Sequence, residues 1–265
     1  MARVGDLLAK LPLPSASGKA AARPPMGRFV LMGLPRSGTT YLMSLLHSHP
    51  EIFCTGEQFN PHAVVGLNGE DRSPEAVLTR DGDPVAHMHR VFAEAAASGA
   101  AQGGFKFMLG HNIEVFKALA EDPDLRIIHV WRENRLAQVA SMLKAVHSKL
   151  WTQTRKDAAY VAQTIEGRPR QISQRWHEWA TIDHLTAQLL QSLPQQVLTL
   201  EYTTLFGPDV PARLCDFLGV APSPRMKSRL LKQGVNRVVD RFTTPGPIVH
   251  YFTQIGREDW LGEEI

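Results

Sequence analysis

The eight residues Gly33-Leu34-Pro35-Arg36-Ser37-Gly38-Thr39-Thr40 constrain this chain more than any other stretch. An apolar run, Phe29-Val30-Leu31-Met32, precedes them, and Leu42, Leu45 and Leu46 follow at helical spacing. Strand, glycine-punctuated turn and helix, in that order, match the G-x-x-x-x-G-K-[ST] spacing of a phosphate-binding P-loop. One position departs: Thr39 stands where nucleotide hydrolases carry their lysine. Such a loop still binds anions through backbone N–H groups at the helix N-terminus. The hydroxyls of Ser37, Thr39 and Thr40 are expected to add donors. The loop's cation is Arg36, inside the turn. The expected ligand is therefore a phosphate-bearing nucleotide other than ATP or GTP.

Strand-like runs recur at 28–32, 52–55, 104–108, 125–131 and 196–202. Helical patterns fill 38–48, 84–98, 112–120, 134–149, 170–192, 209–218 and 224–233. Strands alternating with helices predict an α/β fold, a P-loop-like parallel β-sheet with helices on both faces. Residues 26–265 read as a single domain. Residues 1–25, rich in Ala, Pro, Lys and Arg with Asp6 as their one acid, read as a flexible N-terminal segment without the apolar stretch of a secretory signal. The stretch from Gln58 to Pro84 reads as a long loop with one short helix near Pro74. The tail after Gly234 shows no clear period.

Composition narrows the partners. With 43% apolar and 21% charged residues and a net charge of +3, nothing resembles a nucleic-acid-binding arm. No apolar stretch reaches membrane-spanning length. Cys54 and Cys215 show no paired-cysteine spacing, which fits a reducing, cytoplasmic setting. The histidines, His47/His49 and His87/His89 among them, lack the H-E-x-x-H type of zinc spacing, so no metal is expected. Oligomeric state leaves no mark in the sequence.

A second feature is Trp131-Arg132-Glu133-Asn134, followed by Gln138 and Ser141. Arg132 falls at the end of the strand 125–131, where a metal-dependent P-loop enzyme would want an aspartate. The next helix has its core stripe at Leu136, Val139, Ala140 and Leu143, which puts Asn134, Gln138 and Ser141 on the other side. Ligands of open parallel sheets bind beyond the carboxyl ends of the strands. Arg36, Arg132 and Lys106 lie near such ends and are expected to converge on one crevice.

At these residues the chain resembles the sulfotransferases that use 3′-phosphoadenosine 5′-phosphosulfate (PAPS). Pro35-Arg36-Ser37-Gly38-Thr39-Thr40 is similar to their 5′-phosphosulfate loop, and Arg132 with Ser141 to their 3′-phosphate pair. The run 44–59, with His49-Pro50-Glu51 and Gly56-Glu57, resembles bacterial carbohydrate and glycolipid sulfotransferases and tyrosylprotein sulfotransferases. Val197 to Tyr202 and Asp216 to Val220 resemble the later strand and helix of the family. The resemblance implies PAPS as co-substrate, PAP (3′-phosphoadenosine 5′-phosphate) as product and in-line sulfuryl transfer to an acceptor hydroxyl. The acceptor would be a small molecule, a sugar or a glycolipid. It further implies that Arg36, Ser37, Gly38, Thr39, Thr40, Arg132 and Ser141 bind the co-substrate, and that Glu57 is the base. Many family members carry a Lys-x-His strand motif, but here the strand reads Lys106-Phe107-Met108. Lys106 is left to stabilise charge on the transferring group, and His111 is the substitute base. Gly256 to Trp260 faintly echoes the basic loop that closes over PAPS in cytosolic members.

Two other classes share the loop: a nucleotide or small-molecule kinase, and a nucleotide-binding protein without catalysis. Thr39 and Arg132 stand against the kinase. The acceptor walls are expected from 58–90 and 145–180, with Trp151, Trp176 and Trp179 as core or wall.

Overall fold

The computed structural model describes residues 25–67, 69–151, 164–228, 230 and 235–265. The first 24 residues, and with them nearly all of the expected N-terminal segment, lie outside the described residues. The chain runs β1 (Gly27–Gly33), α1 (Thr39–His47), β2 (Ile52–Glu57), the two-residue strands β3 (Val64–Val65) and β4 (Glu70–Asp71), α2 (Pro74–Gly82), α3 (Pro84–Ala97) and β5 (Gln102–Met108). It continues with α4 (Ile113–Glu121), β6 (Arg126–Trp131), α5 (Arg135–Ser148), α6 (Pro169–Ser192), β7 (Val197–Glu201), α7 (Val210–Leu218) and α8 (Pro245–Gln254).

The five apolar runs form one sheet in the order β2-β5-β1-β6-β7, with every neighbouring pair parallel. Parallel strands covered on both faces need apolar residues at successive positions, and β1 meets that demand. Its alternate residues feed two cores. Val30 and Met32 join Phe105, Phe107 and Ile127 against α3 to α6 and α8. Phe29 and Leu31 join Cys54, Ile128 and Val130 against α1 and α7. The expected α/β sheet with helices on both faces is the fold observed.

Two tail elements depart from expectation. The expected helix over 224–233 does not form in its described residues: 224–228 are turn and irregular backbone. Pro222 and Pro224 restrict the residues before them, and the Ser223 hydroxyl accepts from the Arg225 N–H at 3.3 Å, a local bond that competes with helix. Residues 229 and 231–233 of that stretch lie outside the described residues. By contrast α8 forms in a tail that looked aperiodic, burying Ile248 and Phe252 on the large core.

The loop between β1 and α1 depends on one glycine. Gly38 has φ 95°, and a Cβ there would lie 2.6 Å from Leu205 Cδ1. Gly38→Ala is expected to destabilise the fold by about 1–2 kcal/mol from left-handed strain alone, with the clash added. Thermal melting checks this; a variant with unchanged Tm would show that the turn is not held by its φ.

Candidate active site

The carboxyl ends of β1, β2, β5 and β6 open onto one crevice of about 840 Å³. Arg36, Glu57, Lys106, His111, Arg132 and Ser141 all line it, as do Gly38, Thr39 and Thr40. Parallel register explains the convergence. Gly33 pairs with Met108 on one side and Val130 on the other, so β1, β5 and β6 end level with one another.

The loop between β1 and α1 holds an unusual backbone. Arg36 takes φ 63°, a left-handed conformation that costs energy for a residue with a side chain and persists only where its surroundings enforce it. Gln138 helps: its Nε2 donates to the Pro35 carbonyl at 2.8 Å, while its Oε1 accepts from Arg135, itself ion-paired with Asp183 at 2.6 Å. α5 is thus buried on its polar side as well as on its core stripe, which corrects the simple two-faced reading of that helix. At the start of α1, Gly38 brings no side chain to cap the helix. The first-turn N–H groups lack intrahelical acceptors and carry the positive end of the helix dipole.

The three loop hydroxyls do different things. The Ser37 side chain is fully buried and its Oγ donates to the Leu34 carbonyl at 2.8 Å, so it closes the turn rather than facing the crevice. That corrects the expectation that all three would serve as ligand donors. Thr39 Oγ1 lies 3.8 Å from Met108 Sδ, and Thr40 Oγ1 accepts from Lys106 Nζ at 2.6 Å.

Lys106 also pairs with Glu57, Nζ to Oε1 at 2.7 Å, and Asn60 Nδ2 donates to Glu57 Oε2 at 2.7 Å. One ammonium therefore bridges the candidate base and the phosphate loop. Burial by itself would raise the Glu57 carboxyl. Lys106, by its charge and its hydrogen bond, then Asn60 and the His111 charge, outweigh burial and hold it below the usual carboxylate range. His111 lines the same crevice, and burial pushes its pKa below the usual histidine range despite the nearby Glu57. At neutral pH the crevice thus holds an ionised glutamate and a neutral imidazole.

The arginines form a second cluster. Arg36 Nε donates to Ser141 Oγ at 2.9 Å and its Nη1 to the Trp151 carbonyl at 2.8 Å. Ser141 therefore bonds Arg36, whereas it was expected to act with Arg132. Arg132 Nη1 donates to the Arg36 carbonyl at 2.8 Å, and its guanidinium lies 3.9 Å over the Tyr202 ring, a cation–π contact. Burial first, and then the charge of Arg132, lowers the Arg36 guanidinium to about 10. It remains a cation at neutral pH.

Several residues of the site carried no sequence signal. Asn60 holds Glu57, and Arg80, fully buried, donates to the carbonyls of Gln58, Asn60 and Ala63 and so shapes that segment. Arg241 lines the crevice from the tail, and Glu264 pairs with Arg132 and Arg241 at 2.5 and 3.3 Å. Only the run of turn formers around Asn60-Pro61-His62 could have marked any of these. The echoed basic segment behaves otherwise: the Arg257 guanidinium packs 4.6 Å over the Trp260 ring and does not line the crevice. Trp179 and Trp260 are core, Trp176 packs against them from the edge of that core, and Trp151 lines the crevice mouth. Among the described residues no group of three or more His, Cys, Asp or Glu is placed to hold a metal ion, and no helix is long and apolar enough to cross a membrane.

A family model described as the sulfotransferase family matches residues 28–224. Nodulation protein H of Rhizobium meliloti (strain 1021) is 24% identical over 220 residues, covering 80% of this chain and 85% of that protein. Among solved structures, the sulfotransferase domain from the curacin biosynthetic pathway aligns at 17% identity with a TM-score of 0.44, covering 91% of this chain and 90% of that one. The sulfotransferase domain from the Synechococcus PCC 7002 olefin synthase aligns at 15% identity with a TM-score of 0.47, covering 91% and 89%.

Proposed function

The chain belongs to the sulfotransferase family, and from that premise we propose that residues 26–265 form one PAPS-dependent sulfotransferase domain acting on an acceptor hydroxyl. The observation that carries the reading is a pair of cationic positions at adjoining strand ends. One is the uncapped start of α1 with Arg36 in its loop. The other is Arg132, at the end of the neighbouring strand and bonded to the Arg36 carbonyl at 2.8 Å. A nucleotide with phosphates at both its 5′ and 3′ positions matches two such sites; ATP would want the lysine that Thr39 replaces.

When bound, PAPS supplies an activated sulfuryl group, whose bond to the bridging phosphate oxygen breaks as the acceptor oxygen bonds to sulfur, leaving PAP. The amides of residues 36–40 and the Arg36 guanidinium hold the 5′-phosphosulfate; Arg132 holds the 3′-phosphate, and Ser141 on α5, bonded to Arg36 at 2.9 Å, adds a hydroxyl. Glu57 accepts the acceptor's proton. Lys106 keeps Glu57 ionised and, by its bond to Thr40, places a positive charge where the leaving oxygen gains negative charge. His111 is the second group within the crevice able to take a proton. Met142, Val146, Trp151 and Phe206 offer an apolar wall, and Asn60 and His62 polar groups. That mixture suits a sugar, a glycolipid or another alcohol with polar and apolar faces. Two buried free thiols, Cys54 and Cys215, fit a cytoplasmic setting.

The test is ligand-dependent melting in EDTA. A ligand bound only by the folded chain stabilises it by mass action, about 2.7 kcal/mol at a hundredfold excess over Kd. PAP should raise Tm without any metal, and ATP with Mg²⁺ should not. The reverse result would move the chain to the kinase class. Stabilisation by PAP without sulfate transfer from PAPS to any hydroxyl in a labelled screen would leave a nucleotide-binding protein.

A further inference from the structure

Glu264 is the most enclosed carboxylate near the site, its side chain only 1% exposed. Its Oε1 accepts from Arg132 Nε at 2.6 Å and its Oε2 from Arg132 Nη2 at 2.5 Å. This is a two-pronged grip on one edge of the guanidinium. Arg241 Nη2 reaches the same Oε2 at 3.3 Å. Arg241 is in turn fixed by three backbone carbonyls, its Nε to Val235 at 3.1 Å, Nη1 to Ala137 at 3.3 Å and Nη2 to Asn236 at 3.3 Å. The backbone carrying Glu264 is tied down as well. Val238 N–H donates to the Gly262 carbonyl at 2.9 Å, and Ile265 N–H to Asn236 Oδ1 at 3.1 Å.

Position separates two roles for this carboxylate. Arg132 and Arg241 both line the crevice, and Glu264 does not. It sits behind the arginines, away from where a ligand enters. A guanidinium has five N–H donors. Glu264 takes the Nε–Nη2 edge, the Arg36 carbonyl takes one hydrogen of Nη1, and one hydrogen on each Nη is left. The face of the group is already spent on Tyr202 at 3.9 Å.

We infer that Glu264 is a positioning residue: it clamps the side edge of Arg132 from behind so that the remaining Nη donors are presented, at fixed angle, to a phosphomonoester in the crevice. The inference rests on the reading of Arg132 as the contact for a nucleotide's 3′-phosphate. It adds an electrostatic role. Arg36, Arg132 and Arg241 approach one another in a buried setting, and burial, followed by the neighbouring Arg132 charge, opposes the charge of Arg36. One buried carboxylate between Arg132 and Arg241 offsets that repulsion without occupying the ligand's place.

The experiment compares PAP with adenosine 5′-monophosphate, which lacks the 3′-phosphate, by calorimetry on wild type, Glu264→Gln and Glu264→Ala. The PAP-to-AMP affinity ratio isolates the 3′-phosphate contact from any general loosening of the fold. Glu264→Ala should cut that ratio about tenfold or more, PAP losing more affinity than AMP. Glu264→Gln keeps one acceptor oxygen for Arg132 and should recover part of the ratio. A rise in PAP affinity in Glu264→Ala would overturn the inference, because the carboxylate would then be a competitor for the phosphate's place. Equal loss for PAP and AMP, or an unchanged ratio in both variants, would overturn it too. If wild type itself fails to prefer PAP over AMP, the assignment of Arg132 falls and the inference falls with it. The wild-type measurement therefore tells the two failures apart.

Discussion

Arg132→Ala is expected to weaken PAP by about 1.5–3 kcal/mol while weakening adenosine 5′-phosphosulfate, which has no 3′-phosphate, far less. The size follows from the setting. The Arg132 side chain is only 4% exposed, so its hydrogen bonds to a phosphate would compete little with water. The variant carries a second cost. Removing Arg132 leaves Glu264 buried with Arg241 as its remaining cation at 3.3 Å, and breaking one side of a buried ion pair destabilises by roughly 3–5 kcal/mol. Tm should therefore fall, and raw affinities would mix two effects. The difference between the two ligands in the same variant cancels the shared one. Equal loss for both would mean that Arg132 does not read the 3′ position.

That second cost also marks where sequence reading ends. The loop was legible because its logic is local: an apolar run that β1 buries on both faces, Gly38 where φ must be positive, and a helix stripe beginning at Leu42. Arg132 was legible as the residue at a strand end. Its partner was not, because Glu264 lies 132 residues away with nothing in its own neighbourhood to announce it. Arg36 and Ser141, 105 residues apart, illustrate the same limit, since helical periodicity placed Ser141 on the correct side of α5 without saying which arginine it would meet. The tail shows a different failure. Pro245, Gly246 and Pro247 hid α8, because proline in the first turn of a helix looks the same in a sequence as proline that breaks one. Ser37 failed for a third reason: a hydroxyl in a phosphate loop reads as a donor to the ligand, but a fully buried one must satisfy itself inside the protein, and the Leu34 carbonyl was within reach.

Glu57→Gln is expected to have the largest effect on turnover, a fall of about 10²–10⁴-fold, with PAP affinity nearly unchanged. Gln can still accept from Lys106, but its amide nitrogen would face Asn60 Nδ2, donor against donor. Asn60 cannot simply turn over, since its Oδ1 accepts from the His62 N–H at 2.9 Å. A PAP titration on the variant therefore has to confirm that the loop survives. The pH profile gives an independent check. Burial would raise the Glu57 pKa, but Lys106 and Asn60 leave it lowered, so the acid limb of wild-type turnover should fall below the usual carboxylate range and vanish in the variant. The sign for stability is the same. A depressed carboxyl contributes stability above its unfolded pKa and loses it as pH falls through the folded one. His111, whose pKa burial also depresses, titrates from a cation at low pH to the neutral form able to accept a proton. A wild-type limb set by His111 would lie nearer the histidine range and would survive Glu57→Gln. Near-normal turnover in Glu57→Gln beside an inactive His111→Ala would transfer the base role to the histidine. With Glu57 as the base, Lys106→Ala should lower turnover too, because the same ammonium holds the carboxylate at 2.7 Å and the loop hydroxyl at 2.6 Å.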